Sequence, residues 1–252
     1  MKKKHITAFL LMLCWMASCS LTAQESIMLR LRPQTGLVCN IESKELTQVQ
    51  SNGFEVSVNN EIKTAITIKD VTETQTEIEA QIESLKSNTS AMMGIGVKYD
   101  SDHPKDNNPD LAKQYDPLIK KAINVAYDEM GNAIGEMPKA YEDLLSKVFM
   151  HVFIQFPKEQ VNIGSKWSFD TPKSGISWTY TITSISKKKV EASFVGIMKT
   201  DNMSGVIEGT ASIHPTMGVI TKSNSRSTIS VTESTGNNST IVMNTTISVK
   251  ES

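Results

Sequence analysis

From Val161 onward the chain alternates apolar and polar residues almost without interruption. Trp178, Tyr180 and Ile182 alternate with threonines, and Val190, Ala192 and Phe194 alternate with polar residues across the Ser186–Lys189 turn. A period of two on both arms predicts an antiparallel hairpin with one wet face. Further strands follow at 166–170, 204–213, 218–232 and 239–250, the last two joined by a turn at Thr235-Gly236-Asn237-Asn238. Ile241, Met243, Thr245, Ile247 and Val249 would face inward on the final strand.

The first half reads similarly. Ile27–Arg32 suggests a short strand, Pro33–Gly36 a turn, and Leu37, Cys39 and Ile41 share a face. Asn52-Gly53 is a hairpin signal, because both residues tolerate positive φ. Phe54, Val56 and Val58 resume the alternation, and Asn59-Asn60 reads as a break. Ala91–Tyr99 is a Gly-containing strand with a bulge or a close backbone contact.

Residues 64–86 resemble 178–199: Ile66 matches Tyr180, Ile68 matches Ile182, Val71 matches Ile185, Ala80 matches Ala192 and Ile82 matches Phe194, with a first turn two residues longer. Gly36-Leu37 also matches Gly164-Ser165, and the turn around Met130-Gly131 matches that around Met217-Gly218. The pattern predicts an internal duplication.

Two stretches carry helical spacing. Asn108-Pro109 opens the first, through Leu111, Tyr115, Leu118, Ile119 and Ala122, with Pro117 kinking or shortening it. A hairpin at Ile123–Tyr127 and Ala133–Ile134 precedes the second, which runs from Lys139 to about Phe153 after Pro138. Its stripe is Tyr141, Leu144, Leu145, Val148, Phe149 and Val152. The expected fold is mainly β with a minor α part: duplicated antiparallel sheets or half-barrels, with two helices packed between or against them. Residues 24–155 and 156–252 would form two halves of one compact unit.

The chain begins MKKKHITAFLLMLCWMASCSLTAQ, three lysines before an apolar run too short to span a bilayer. Residues 1–23 read as a signal peptide. Met16-Ala17-Ser18-Cys19 equally fits a lipoprotein signal ending before Cys19, which would place a lipid on that cysteine. Either route exports the protein, to the periplasm or the outer membrane of a Gram-negative bacterium, and only a lipid on Cys19 would tie it to a membrane. Once Cys14 and Cys19 are removed or modified, Cys39 has no intramolecular disulfide partner. Removal of residues 1–23 leaves 23 − 27 = −4 charges, with no basic stripe, so nucleic acid is not an expected partner.

LRLRPQTG near the mature start, YDSD, the DEMGNAI hairpin and FPKEQVNIGSKWSF together resemble an exported Bacteroidota-type group, the domain-of-unknown-function 6263 family. That family has no assigned activity, so the resemblance implies export and a β-rich fold and brings no catalytic residue.

Catalytic chemistry is sparse. His103, His151 and His214 lack zinc-site spacing. Asp100, Asp102 and Asp106 offer calcium-type oxygens, but Pro104 and Leu111 stand where an EF-hand needs ligands. There is no Gly-x-Ser-x-Gly elbow and no phosphate loop. No catalytic residue, metal or cofactor is therefore assigned.

Methionines beside apolar residues, among them Met93, Met137, Met150, Met198 and Met243, suit an adaptable apolar cavity or a plain core. The expectation is a non-catalytic envelope protein that binds an apolar small molecule or another envelope protein. The second helix would cover the open face of the first sheet, and the site would lie beneath it, lined by Met93, Leu144, Val148 and Phe149. A hydrolase with an unrecognised site is the alternative.

Overall fold

In a computed structural model the described residues are 26–91, 96–171, 174–232 and 238–251, without the side chains of 143, 146 and 147. The signal segment, Cys19, Met93 and the turn at 233–237 lie outside them.

The strands are β1 (Val38–Ser51), β2 (Phe54–Val71), β3 (Gln75–Ala91), β4 (Gly96–Asp100), β5 (Ala122–Asp128), β6 (Ala133–Ile134), β7 (Lys166–Thr171), β8 (Ile176–Ile185), β9 (Val190–Lys199), β10 (Met203–Ile213), β11 (Ile220–Thr232) and β12 (Asn238–Glu251). They form one antiparallel sheet in the order β6-β5-β3-β2-β1-β12-β11-β10-β9-β8-β7, with β4 also on β3. The mainly-β expectation is what the structure shows, but the halves do not stand as two sheets. β12 turns back between them and pairs with both β1 and β11, so one hydrogen-bonded surface runs through the molecule.

Turn chemistry sets the strand ends. Asn52 and Gly53, at φ 49° and 81°, close β1 onto β2, as their positive-φ tolerance predicts. Three other hairpins open on a hydroxyl: the main-chain N–H groups of Gln75, Lys189 and Met203 donate to the side chains of Thr72, Ser186 and Thr200 at 3.0–3.1 Å. Asn59-Asn60 is no break; both lie within β2, where pairing with β1 and β3 on either side outweighs their weak strand preference. Gly96 does make a close backbone approach: a Cβ there would meet the Thr89 carbonyl at 2.6 Å.

The two hairpins matched in the sequence are built alike. Gly36 N–H donates to Ile68 O and Ile68 N–H to Leu37 O; Gly164 N–H donates to Ile182 O and Ile182 N–H to Ser165 O. Each has a register shift just after the matched isoleucine, Ile68/Asp70 and Ile182/Ser184. Ile66 pairs with Ala80 as Tyr180 pairs with Phe194. The turns are therefore equal in length, and Ala80 corresponds to Phe194 rather than to Ala192. The small Ala80 in place of a large ring disguises the register in the sequence.

Ile27–Arg32 is not a sheet strand. It forms an extended strap: Ile27 bridges Val161, Leu31 N–H donates to Glu129 O, and Arg32 N–H donates to Met217 O. Arg30 caps the carbonyls of Leu29, Pro157 and Lys158, using a polar side chain to tie loops where a strand would need ladder partners.

Helix α1 (Pro109–Tyr115) is capped by the Asn108 side chain, which accepts from the N–H groups of Asp110 and Leu111. Pro117 lies in the 3-10 turn Asp116–Leu118 that ends it, and Ala122 begins β5 instead of continuing the helix. Helix α2 (Lys139–Met150) follows Pro138. Its Tyr141, Leu145, Val148 and Phe149 are buried on the concave face of the sheet, with Val152, Phe153 and Ile154 continuing the contact.

Candidate functional site

The base of the concavity is filled by rings. Trp167 stacks on Tyr180 at 5.2 Å, Tyr180 lies 5.2 Å from Phe194, and Trp178 meets Phe194 edge-on at 5.8 Å. Both tryptophans are buried, as their alternating positions predict; Trp167 Nε1 donates to Gln155 O at 2.7 Å. Phe149, Phe153 and Tyr127 continue the aromatic cluster toward the first half.

Above this base the concavity is open. A half-open cavity of about 770 Å³ lies between α2 and the sheet. Leu144, Val148, Phe149 and Met150 form the helix side; Ile176, Trp178, Met198, Ile207, Ile229 and Met243 form the apolar part of the sheet side. Its volume is within the ~300–1,000 Å³ of small-molecule sites. The sequence-predicted Leu144, Val148 and Phe149 converge here; Met93 lies outside the described residues. The site differs from expectation in its floor. α2 does not cover the first half alone, because β8, β10, β11 and β12 carry much of the lining together with β1 and β2. Met137, Met150, Met198 and Met243 all line the cavity, which is how an unbranched, polarizable side chain is used at adaptable apolar surfaces.

Polar groups also face this space. His151, next to the C-terminus of α2, is buried, and burial pushes its pKa down to about 4, so it is neutral at pH 7. Its Nδ1 lies 3.4 Å from Ser223 Oγ. Ser223 is buried beside the cavity rather than on its lining. Glu45, 9 % exposed, accepts from Thr47 Oγ1 at 3.2 Å and Asn60 Nδ2 at 3.4 Å. The sequence reading missed both groups. Glu45 lies in strict alternation with Cys39, Ile41 and Ser43, so its inward position was available from the period of two. Nothing in the sequence signals the pairing of His151 with Ser223.

The acidic loop does not assemble. Lys86 Nζ lies 3.2 Å from Asp100 and 4.0 Å from Asp102, and Lys98 lies 3.6 Å from Asp106. Desolvation pushes the Asp100 carboxyl up, but hydrogen bonds from Asp102 N–H, His103 and Lys86 together hold it below its usual range. Among the described residues no three His, Cys, Asp or Glu side chains are placed to hold a metal ion. His214 is used within its own hairpin, accepting from Met217 N–H at 3.3 Å. A smaller hollow of about 460 Å³ lies along β3, β5 and β6, and the Lys69–Glu79 pair borders it.

Cys39 is buried on the inner face of β1, and its pKa is pushed up to about 11, first by burial and second by Glu251. Among the described residues no helix is long and apolar enough to cross a membrane, which says nothing of strands.

No family model matches the chain, and no curated protein matches it. Solved structures do. Lipovitellin, from a study of its lipid–protein interactions, aligns with a TM-score of 0.63 at 9 % identity, over 86 % of this chain and 25 % of its own. The chain thus spans a quarter of the length of lipovitellin. The autotransporter NalP translocator domain of Neisseria meningitidis aligns at 8 % identity and TM-score 0.29, covering 86 % of this chain and 89 % of its own. An outer-membrane channel from Pseudomonas putida F1 aligns at 6 % and 0.28, covering 86 % and 97 %. Of these three, lipovitellin alone is close enough in shape to carry an argument, and at 9 % identity the likeness is one of fold.

Proposed function

We propose that this is an exported, non-catalytic envelope protein that binds an apolar small molecule in the trough beneath α2. The observation that carries the reading is the trough itself: about 770 Å³ of space between a helix and the concave sheet face, with aliphatic, Met and aromatic side chains on both sides. An apolar lining left unfilled forfeits dispersion contacts and stays wetted at a cost, and an apolar guest recovers both. The likeness in fold to lipovitellin, a protein with lipid–protein interactions, supports the same reading. Export rests on the lysine-led apolar segment before Ala23, and the resemblance to the exported domain-of-unknown-function 6263 group agrees with it.

The matched hairpins suggest how the trough arose. On this reading the two halves are copies of one β meander, and the positive φ of Gly36 and Gly164 ahead of the matched hairpins and the joining of the halves through β12 support it. Duplication supplies a wide sheet without a second core.

The test is direct. Purified full chain should enhance the fluorescence of the neutral dye N-phenyl-1-naphthylamine, and Ile229→Trp, which fills the trough, should remove the enhancement while the thermal melt is retained. Equal enhancement by the filled variant would overturn the reading. The second reading is a hydrolase, favoured by one contact, Ser223 Oγ to His151 Nδ1. It requires Ser223 to become accessible. Covalent labelling of Ser223 by a fluorophosphonate, lost in His151→Gln, would establish it over the binding role.

A further inference from the structure

One row of the concave face carries no polar side chain on seven consecutive strands. Val56 of β2 pairs with Val49 of β1, Val49 with Ile241 of β12, and Ile241 with Ile229 of β11. Ile229 pairs with Gly205 of β10, Gly205 with Met198 of β9, and Met198 with Ile176 of β8. Directly paired residues project from the same face of a sheet, so the row is continuous. Neighbouring strands lie about 4.8 Å apart, which makes the row roughly 30 Å long. Gly205 leaves no gap in it: the Ile229 side chain lies over that position, with Cγ1 2.9 Å from where a Cβ would stand.

The cavity accounts for only part of this row. Ile176, Met198 and Ile229 line it, whereas Ile241, Val49 and Val56 lie beyond it on β12, β1 and β2. Those three are half-buried and stand outside the core cluster of the described residues. An apolar strip therefore runs on from the trough across the first half without a break.

The strip is also narrow. Residues two apart on one strand are about 6.5–7 Å apart. One such step away, Ser51 and Ser239 interrupt the row on one side, and Thr47 and Ser227 interrupt the row on the other. An α-helix with its side chains is about 10–12 Å across and would lie over both sets of hydroxyls. A second sheet packs face to face and needs a broader apolar surface than one row. A single alkyl chain is slender enough to follow the strip, and the trough gives it a sheltered end.

Resting on the binding reading above, we infer that the ligand is a lipid with a long unbranched alkyl chain. Part of the chain lies in the trough against Met198 and Ile229. The rest leaves the trough and lies across Ile241, Val49 and Val56.

Displacement of N-phenyl-1-naphthylamine from the purified full chain by decan-1-ol and by octadecan-1-ol reads the length of the site. The double variant Val49→Thr, Val56→Thr keeps β-branched strand residues but places two hydroxyls where a long chain would cover them, away from water. It should weaken octadecan-1-ol at least about tenfold and leave decan-1-ol and the dye within about twofold. If that variant does not fold, photolabelling of the unaltered protein decides the matter. Of two octadecan-1-ols with a diazirine near one end or near the other, one should label β9–β11 and the other β1 or β2. Both labels confined to the cavity lining, or no greater weakening of octadecan-1-ol than of decan-1-ol by the variant, overturns the long-chain assignment while the binding reading stands. A concentration-dependent dimer in sedimentation that the double variant abolishes would assign the strip to a second copy of this chain and overturn it too. Failure of the dye and of both alcohols to bind overturns both readings.

Discussion

A Cβ built on Gly218 would lie 2.1 Å from the carbonyl oxygen of Arg30, so the first-half strap and the β10–β11 turn meet backbone to backbone. A second contact mirrors it: a Cβ on Gly131 would lie 2.0 Å from Ile154 O. Hydrogen bonds close both, Arg32 N–H to Met217 O and Phe156 N–H to Met130 O. The strap thus clasps the second half's turn, and the segment that follows α2 clasps the turn between β5 and β6.

Gly218→Ala and Gly131→Ala should therefore each cost about 2–5 kcal/mol, combining a positive-φ penalty with displacement of a backbone that cannot swing away. Gly36→Ala is the control: its φ is +83°, but nothing lies within 4 Å of the added carbon, so about 1–2 kcal/mol is expected. Denaturant midpoints for the three variants check this. Equal losses at all three would mean that φ alone matters and that the clasps contribute little.

Trp178 lies over Gly196, whose added Cβ would meet the indole at 2.8 Å. Trp178→Ala should cost about 3–5 kcal/mol by opening a cavity in the aromatic base. Gly196→Val should be destabilising by about 1–3 kcal/mol through overpacking at the same place. If the two effects are coupled, Gly196→Val should be less harmful in the Trp178→Ala background than alone, and a double-mutant cycle measures the difference. Strict additivity would contradict the contact.

How much of this could be read beforehand depended on what each residue had to do locally. The alternation of Trp178, Tyr180 and Ile182, the Asn52-Gly53 turn and the Asn108 cap are local devices, and each appears where the sequence places it. The stripe of α2 named the helix side of the cavity because an amphipathic face has to be buried. What failed was non-local. Nothing local distinguishes two sheets from one: the joining strand β12 alternates like any other, and its partners lie almost a whole chain length away in β1. Ile27–Arg32 alternates as a strand would, but its hydrogen bonds go to Glu129, Met217 and Val161, which no window on the sequence contains. Glu45 was half legible, since the period of two gave the direction of its side chain but not its neighbours Thr47 and Asn60.

His151 makes stability depend on pH. Burial holds its folded pKa near 4, below the ordinary value of 6.5, so the unfolded chain binds the proton more readily. Its contribution is complete above about pH 6.5 and is lost as pH falls toward 4, by about 3 kcal/mol in all. Asp100 and Glu191, whose carboxyls are held low by Lys86 and Lys189 among others, are lost further into acid. The difference in unfolding free energy between wild type and His151→Gln should therefore change between pH 7 and pH 4 and level off below. A difference independent of pH would show that the imidazole is solvated in the folded protein.

Cys39 supplies a reporter for the whole clasped sheet. The thiol is 5 % exposed, on β1, which is paired along its length with β2 and β12. The thiolate is the reactive species, and burial with Glu251 nearby raises the pKa to about 11, so in the folded protein at pH 8 very little thiolate exists and access is blocked. Labelling by a thiol reagent should then be slow in buffer and should accelerate across the denaturant transition with the same midpoint as the loss of tryptophan fluorescence. The two probes sit far apart in the sheet order, Cys39 at its centre and Trp167 and Trp178 on β7 and β8 at one edge. A coincident midpoint means that the halves unfold as one unit, as expected of a single continuous sheet. Labelling that precedes the fluorescence change would show β1 and β12 parting first. The floor of the trough, built from those strands, would then be the weakest part of the fold.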